Sequence, residues 1–258
     1  MAQLKISVMI TTRNRLSDLQ RTCDILTKLT PLPHEILLTA DGCTDGTVAY
    51  VKQTYPCYRL TVNASGKGSV ASRAAMMQQA TGDFVLALDD DCYPEQLDCL
   101  ATLSEIFQEN PRLAIATFPQ RTDEYPESLT QSDFGESKPV RSFANSGACL
   151  RVSTYREIPG FEPMFFHMYE EPDYAIQCIA NDWKVHYFPQ LTIRHHFSGA
   201  GRNEIRNHHR HARNEFWSVI IRCPLPYCMP LLLYRMFSQA RYAFSRGPNW
   251  LFQEPVWW

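Results

Sequence analysis

Short apolar runs recur through the first half of the chain, at residues 4–10, 35–39, 58–62, 84–88 and 113–118, and each predicts a strand buried in a sheet. The stretches between them are amphipathic. Leu16, Leu19, Cys23, Leu26 and Leu29 fall at helical spacing and predict a helix closing near Pro31. Further helices are expected at 47–54, from the loop 63–69 to about Ala80, and at 95–109. Strands and helices alternating through short loops predict an α/β fold with a doubly wound, mostly parallel sheet flanked by helices.

The second half is less regular. Residues 119–140 are polar, contain proline and lack any period, so they read as a long mobile or functional loop. Asn145-Ser146-Gly147 turns into a strand at 148–150, a helix runs to Asn181, and a strand covers 184–188. From Pro224 onward, prolines, leucines and aromatics are interleaved with Arg235, Arg241 and Arg246. Two readings are open for this tail: an interfacial segment facing anionic headgroups, or a helix packed back on the domain. The expected organisation is one α/β domain over 1–223 and a basic, aromatic, helical extension over 224–258.

Composition narrows the classes. A chain of 258 residues that is 45% hydrophobic fills a sizeable core, which excludes a disordered protein. Nine dispersed cysteines without a Cys-x-x-Cys pair exclude a structural zinc ribbon and fit reduced thiols in the cytoplasm. No N-terminal run suits a signal peptide, and none approaches the ~20 apolar residues of a bilayer span. The net charge of −2 hides an asymmetry, because residues 190–258 carry 9 Lys+Arg against 3 Asp+Glu. Such an excess fits an anionic partner such as phosphate, lipid headgroup or nucleic acid; a solvated basic face fits equally.

The candidate chemistry is acidic. The run 84–88 stops at Asp89-Asp90-Asp91, where a sheet of this kind places its ligands. Three crowded anions repel unless a cation such as Mg²⁺ or Mn²⁺ neutralises them, although an acidic loop capping a helix begun at Pro94 would look the same. On an extended chain Asp89 and Asp91 point one way and Asp90 the other. Lys67, in the glycine loop 66–68, and Arg73 could pair with a diphosphate or form an exposed basic face. Glu170-Glu171-Pro172-Asp173 either caps a helix or supplies a general base. His195 and His196 would point oppositely on a strand, leaving at most one as a metal ligand.

Taken together these segments resemble the family 2 glycosyltransferases of GT-A fold, over about residues 4–223. Ser7 to Arg15 is similar to the family's Ser-Val-Ile-Ile-Pro-Thr-Tyr-Asn-Arg, with Thr11 and Arg13 departing from it. Glu35 to Thr47 resembles its Asp-Asp-Gly-Ser-Thr-Asp-Gly segment, with Ala40 in place of the first Asp and Asp41 keeping the second. Arg73 matches the arginine of an Ala-Arg-Asn element, Asp89 to Asp91 the Asp-x-Asp element, and Glu170 to Asp173 the Glu-Asp-x-Asp element. His195 matches the histidine after the late strand, and Arg213-Asn214 a pair that often follows.

The resemblance implies inverting transfer of a sugar from a nucleoside-diphosphate sugar to an acceptor hydroxyl, in polysaccharide or glycolipid synthesis of bacterial type. Asp91 and His195 would hold Mn²⁺ or Mg²⁺, and Glu171 would be the base, ionised at neutral pH if its pKa is the ordinary ~4.3. Thr12, Arg13, Asn14 and Asp41 would meet the nucleoside, and Lys67 and Arg73 would lie near the nucleotide. Asp89, Asp90, Gly147, Glu170 and Asp173 complete the expected substrate contacts. A saccharide or lipid-linked acceptor, met at an anionic membrane on its cytoplasmic side, is the expected partner; nucleic acid is not. A nucleotidyltransferase of nucleotide-sugar synthesis would share the sheet, but it should carry a glycine-rich loop after strand one, where 11–14 has no glycine. A non-catalytic nucleotide-sugar binding protein would leave Glu171 without a task.

Overall fold

The first apolar run becomes β1 (Ile6–Thr12), and its alternating side chains enter two different cores. Val8 and Ile10 face one layer while Met9 faces the other, which is why the run is apolar throughout rather than every second residue. The computed structural model describes residues 4–197, 203–247 and 250. Arg202 and residues 251–258, which belong to the expected basic run and C-terminal extension, lie outside the described residues.

After β1 come α1 (Leu16–Leu26), β2 (Glu35–Asp41), α2 (Thr47–Thr54), β3 (Arg59–Asn63), α3 (Ser69–Gln79) and β4 (Phe84–Asp89). They are followed by β5 (Cys92–Pro94), α4 (Cys99–Glu109), β6 (Leu113–Thr117), β7 (Gln120–Thr122), β8 (Lys138–Pro139), β9 (Ala148–Arg151) and α5 (Val152–Glu157). The chain continues through α6 (Glu170–Ala180), β10 (Lys184–Tyr187), β11 (Ile193–His195), α7 (Glu204–Arg222) and α8 (Leu225–Arg246). The main sheet has eight strands in the order β3-β2-β1-β4-β9-β6-β10-β8. Helices α1, α2 and α4 contribute to the core on one face, and α3, α5 and α6 to that on the other.

The parallel half, β3-β2-β1-β4, is as expected, and its register aligns the strand ends that carry chemistry: Thr11 is opposite Asp89, and Thr12 opposite Ala40. Beyond it β9 runs antiparallel between β4 and β6, a reversal that apolar patterning does not encode. The stretch 119–140 is not an unstructured loop. Its ends are β7, paired with β11, and β8, paired with β10, with a short 3₁₀ turn at Pro126–Thr130 between them. Strands of two and three residues are too short to reveal a period. Helix α4 starts later than 95 because Glu95 N–H bonds Thr192 O and the Gln96 side chain accepts from Thr192 N–H.

Candidate active site

The site lies where β1, β2 and β4 end, closed over by the small sheet β5-β11-β7. This sheet returns the late histidine to the acidic strand end: His195 is registered opposite Cys92, and His196 N–H donates to Asp91 O at 2.9 Å. Strand alternation decides between the histidines. His195 is buried with Nε2 3.5 Å from Asp91 Oδ1, whereas His196 turns outward to the Tyr93 hydroxyl at 2.8 Å.

The three aspartates are not arranged as an extended chain would place them. Asp90 and Asp91 form a turn and share Arg15, while Asp89 turns to a different arginine. Asp89 pairs with Arg73; Asp90 Oδ1 is 3.0 Å from Arg15 NH1; Asp91 Oδ2 is 2.7 Å from Arg15 NH2. Asp90, expected among the substrate contacts, is buried against Arg15, and burial lifts its pKa to about 7. Asp91, equally buried, is held far below the usual carboxylate range by its His195 and Arg15 contacts, which outweigh burial. It is anionic at every working pH.

The residues fit a cation. Asp91 Oδ1, Cys92 Sγ and His195 Nε2 all lie within 4.8 Å of one another, and His195 Nε2 is buried without a hydrogen-bond partner among the described residues. A buried, unsatisfied imidazole nitrogen beside a permanent carboxylate is what a divalent ion would complete. Cys92 did not figure among the expected ligands; burial keeps its thiol protonated, and it donates to Asp91 Oδ1 at 3.3 Å.

Arg15 was matched only as part of a motif, yet in this fold it is the cation nearest two buried carboxylates. Arg15→Gln should destabilise the protein by about 3 kcal/mol, the order expected when a buried ion pair loses one partner. Mn²⁺ should then raise Tm more in the variant than in the wild type, since the ion supplies the missing charge. Thermal melts with and without Mn²⁺ test this; equal Tm shifts would remove Arg15 from the electrostatics of the site.

A second arginine joins the strand end to the other acidic cluster. Arg73 is buried and bridges Asp89 to Glu170, whose Oε1 is 3.1 Å from its NH1. Expected beside the nucleotide, Arg73 instead has both amino groups committed to carboxylates, because a charge this buried must be paired. Glu171 follows at the first turn of α6, partly buried, with Asn145 N–H 3.5 Å from its Oε1. Burial, reinforced by the Glu170 charge and opposed by Arg73, pushes its pKa up to about 8. Glu171 is therefore harder to ionise than a solvated glutamate.

Asp173 and Gly147, also expected among the substrate contacts, are placed by packing. Asp173 is fully buried and receives Ser218 Oγ at 2.7 Å, Gln177 Nε2 at 2.8 Å and Arg222 NH2 at 3.2 Å, so it fastens α7 to α6 and has no surface for substrate. Gly147 is buried against Ile193, where a Cβ would collide with that side chain. Its lack of a side chain permits the close approach of β11.

On the other side of the strand ends, Asp41 holds the glycine loop: its carboxylate accepts from Asn63 Nδ2 at 2.7 Å and from the N–H groups of Lys67 and Gly68 at 2.9 Å each. Three of its roughly four acceptor positions are thereby filled. Gly68, at φ 93°, lies too close to Phe166 O for any side chain. The Lys67 side chain is exposed, and the Arg13 guanidinium lies against Gly66. Asn14 Oδ1 accepts from Thr44 N–H at 2.7 Å, and Thr12 is buried below them.

Sequence reasoning gave Asn214 no role. Fully buried, its Nδ2 lies 3.0, 2.9 and 2.7 Å from the carbonyls of Phe165, His167 and Met168. Phe166, Met168 and Tyr169 all have positive φ, so this amide fixes a strained segment that leads directly to Glu170 and Glu171.

A doubly wound sheet whose strand ends present a buried carboxylate, an unsatisfied histidine and a second acidic cluster defines a glycosyltransferase of GT-A architecture. The chain belongs to glycosyl transferase family 2, whose model matches residues 7–180. It is 27% identical over 211 residues to the uncharacterized glycosyltransferase YwdF of Bacillus subtilis (strain 168), covering 78% of this chain and 77% of that protein. Among solved structures it resembles the mannosyltransferase PcManGT from Pyrobaculum calidifontis in complex with GDP-Man and Mn²⁺ (TM-score 0.65, 16% identity, 96% of this chain, 77% of that one). S. aureus TarS 1–349 with UDP-GlcNAc is similar at TM-score 0.65 and 17% identity (98% and 77%). GalNAc-T7 with UDP, GalNAc and Mn²⁺ matches at 0.63 and 16% identity, and the chain spans 77% of itself but 44% of that larger chain.

Proposed function

We infer that this glycosyltransferase moves a sugar from a nucleoside-diphosphate donor to a saccharide hydroxyl with inversion, using Glu171 as general base. The observation that carries this is the Asp89–Arg73–Glu170 bridge, which ties the acidic strand end to the turn that bears Glu171. Donor and base would then sit on one rigid frame. The cation would be Mn²⁺, held by Asp91 and His195, since a site with an imidazole ligand suits it better than Mg²⁺. When bound, such an ion offsets the charge that develops on the departing diphosphate.

The chain's own groups divide the remaining work. Arg13, Asn14 and Lys67 border the nucleotide, and Asp41 has one acceptor position left for a base N–H. Glu171, once ionised, takes the proton of the acceptor hydroxyl as its oxygen attacks the anomeric carbon from the face opposite the leaving diphosphate. Bond formation to the acceptor and cleavage from the phosphate oxygen balance, and the proton ends on Glu171. The acceptor in this reading is a saccharide, free or lipid-linked, met at an anionic membrane surface during polysaccharide or glycolipid synthesis.

Stereochemistry tests the reading. Proton NMR of the first-formed product should give an anomeric coupling opposite in configuration to that of the donor. Retention would require a different mechanism and would leave Glu171 without the assigned task.

A further inference from the structure

Helix α8 packs against α7 through a narrow edge. Cys228 and Ala243 are buried, Arg235 NH1 is 3.0 Å from Glu215 Oε1, and Gln239 Nε2 is 2.6 Å from Glu215 Oε2. The opposite face is apolar and uncovered by the described residues: Met229, Leu233, Met236, Phe237 and Phe244 are each more than half exposed. Their spacing of four, seven, eight and fifteen residues from Met229 puts them in one stripe. Tyr227, Tyr234 and Arg241 lie along one margin, whereas Tyr242 and Arg246, each seven residues after Arg235 and Gln239, fall on the α7-facing side, where the Tyr242 ring centroid is 4.8 Å from that of His208. This inverts the usual surface helix, which turns its apolar side inward.

We propose that the outward face of α8 is the surface by which this protein docks onto an anionic phospholipid membrane, lying in the interface rather than crossing it. The proposal deepens the reading that the acceptor is met at a membrane. Charge selects the occupant: α8 carries no acidic residue, and while Arg235 is taken up by Glu215, Arg241 is exposed beside the apolar stripe. No helix among the described residues is long and apolar enough to span a bilayer. The 22 residues of α8 extend about 33 Å along the plane instead. Interfacial helices of this kind combine buried apolar area with attraction to anionic lipid, so both parts of the surface must contribute.

Flotation with vesicles of phosphatidylcholine, with and without phosphatidylglycerol, tests the docking separately from the chemistry. The wild type should bind the mixed vesicles at low salt and lose binding as salt rises. Leu233→Ser with Phe237→Ser should weaken binding about tenfold or more. Arg241→Gln should lose about fivefold. All variants should keep wild-type nucleoside-diphosphate affinity and turnover on a water-soluble acceptor, so a failure of docking is separable from a failure of the proposed reaction. Variants that bind vesicles as well as the wild type would overturn the proposal. So would a dimer, seen by light scattering, that dissociates in the serine variant, since it would give the face to a second copy. Binding that appears only on removal of residues 251–258 would give it to that tail.

Discussion

Glu171→Gln should lower kcat by about 10² to 10⁴ and leave donor affinity nearly unchanged, because a general base acts only as the transition state forms. The amide keeps the shape of the side chain and cannot take the proton. The pH dependence carries a second readout. Burial beside Glu170 raises the Glu171 pKa to about 8. The sign follows: kcat/KM should climb as pH rises and level off above about 8, and this limb should vanish in Glu171→Gln. Asp173→Asn separates the neighbouring acid. With its carboxylate between Ser218, Gln177 and Arg222, that change should cost about 3 kcal/mol of stability and little in kcat per folded molecule. Normal turnover by Glu171→Gln would remove the base from this position.

Asp91→Asn should weaken metal-dependent binding of a nucleoside diphosphate by about 100-fold or more, the loss of a charged ligand exceeding the 10- to 100-fold typical of its supporting groups. Chelation of the ion in the wild type should have a similar effect. The variant also leaves Arg15 with one fewer carboxylate, so a second variant, at His195, separates a fall in affinity from a loosened fold. His195→Ala removes the other expected ligand without touching the Arg15 pair, and it should weaken Mn²⁺ binding with a smaller loss of Tm in chelator than Asp91→Asn. Calorimetric titration with and without Mn²⁺ is the measurement, and equal affinities in both conditions would exclude the ion from donor binding.

The parallel half of the fold was readable because its determinants are local. Val8, Met9 and Ile10 enter two cores from one strand, and such strands are continuous apolar runs that any window detects. The acidic clusters were readable as clusters for the same reason. Their internal geometry was not, because it is set by partners far along the chain: Arg15 reaches Asp91 across 76 residues, and Arg73 reaches Glu170 across 97. The turn at Asp90-Asp91 broke the strand alternation on which the Asp89/Asp91 pairing rested. Asn214 is a further case, since an asparagine within a basic helix gives no sign that it holds three carbonyls more than 45 residues earlier. Asp173 could have been distinguished from Glu171 in part. On a helix beginning near 170, Asp173 and Gln177 fall at i and i+4 and can bond each other, which marks Asp173 as turned along the helix.

The most direct test of the whole account is one turnover assay run in parallel on the wild type and Glu171→Gln, over a panel of nucleotide-sugars with Mn²⁺ and saccharide acceptors, reading released nucleoside diphosphate. The account predicts at least one donor that the wild type consumes in an acceptor-dependent manner, with loss of the signal on chelation and a residual rate of about 1% or less in Glu171→Gln. Release that is equally fast in Glu171→Gln, or that persists without divalent metal, would contradict it.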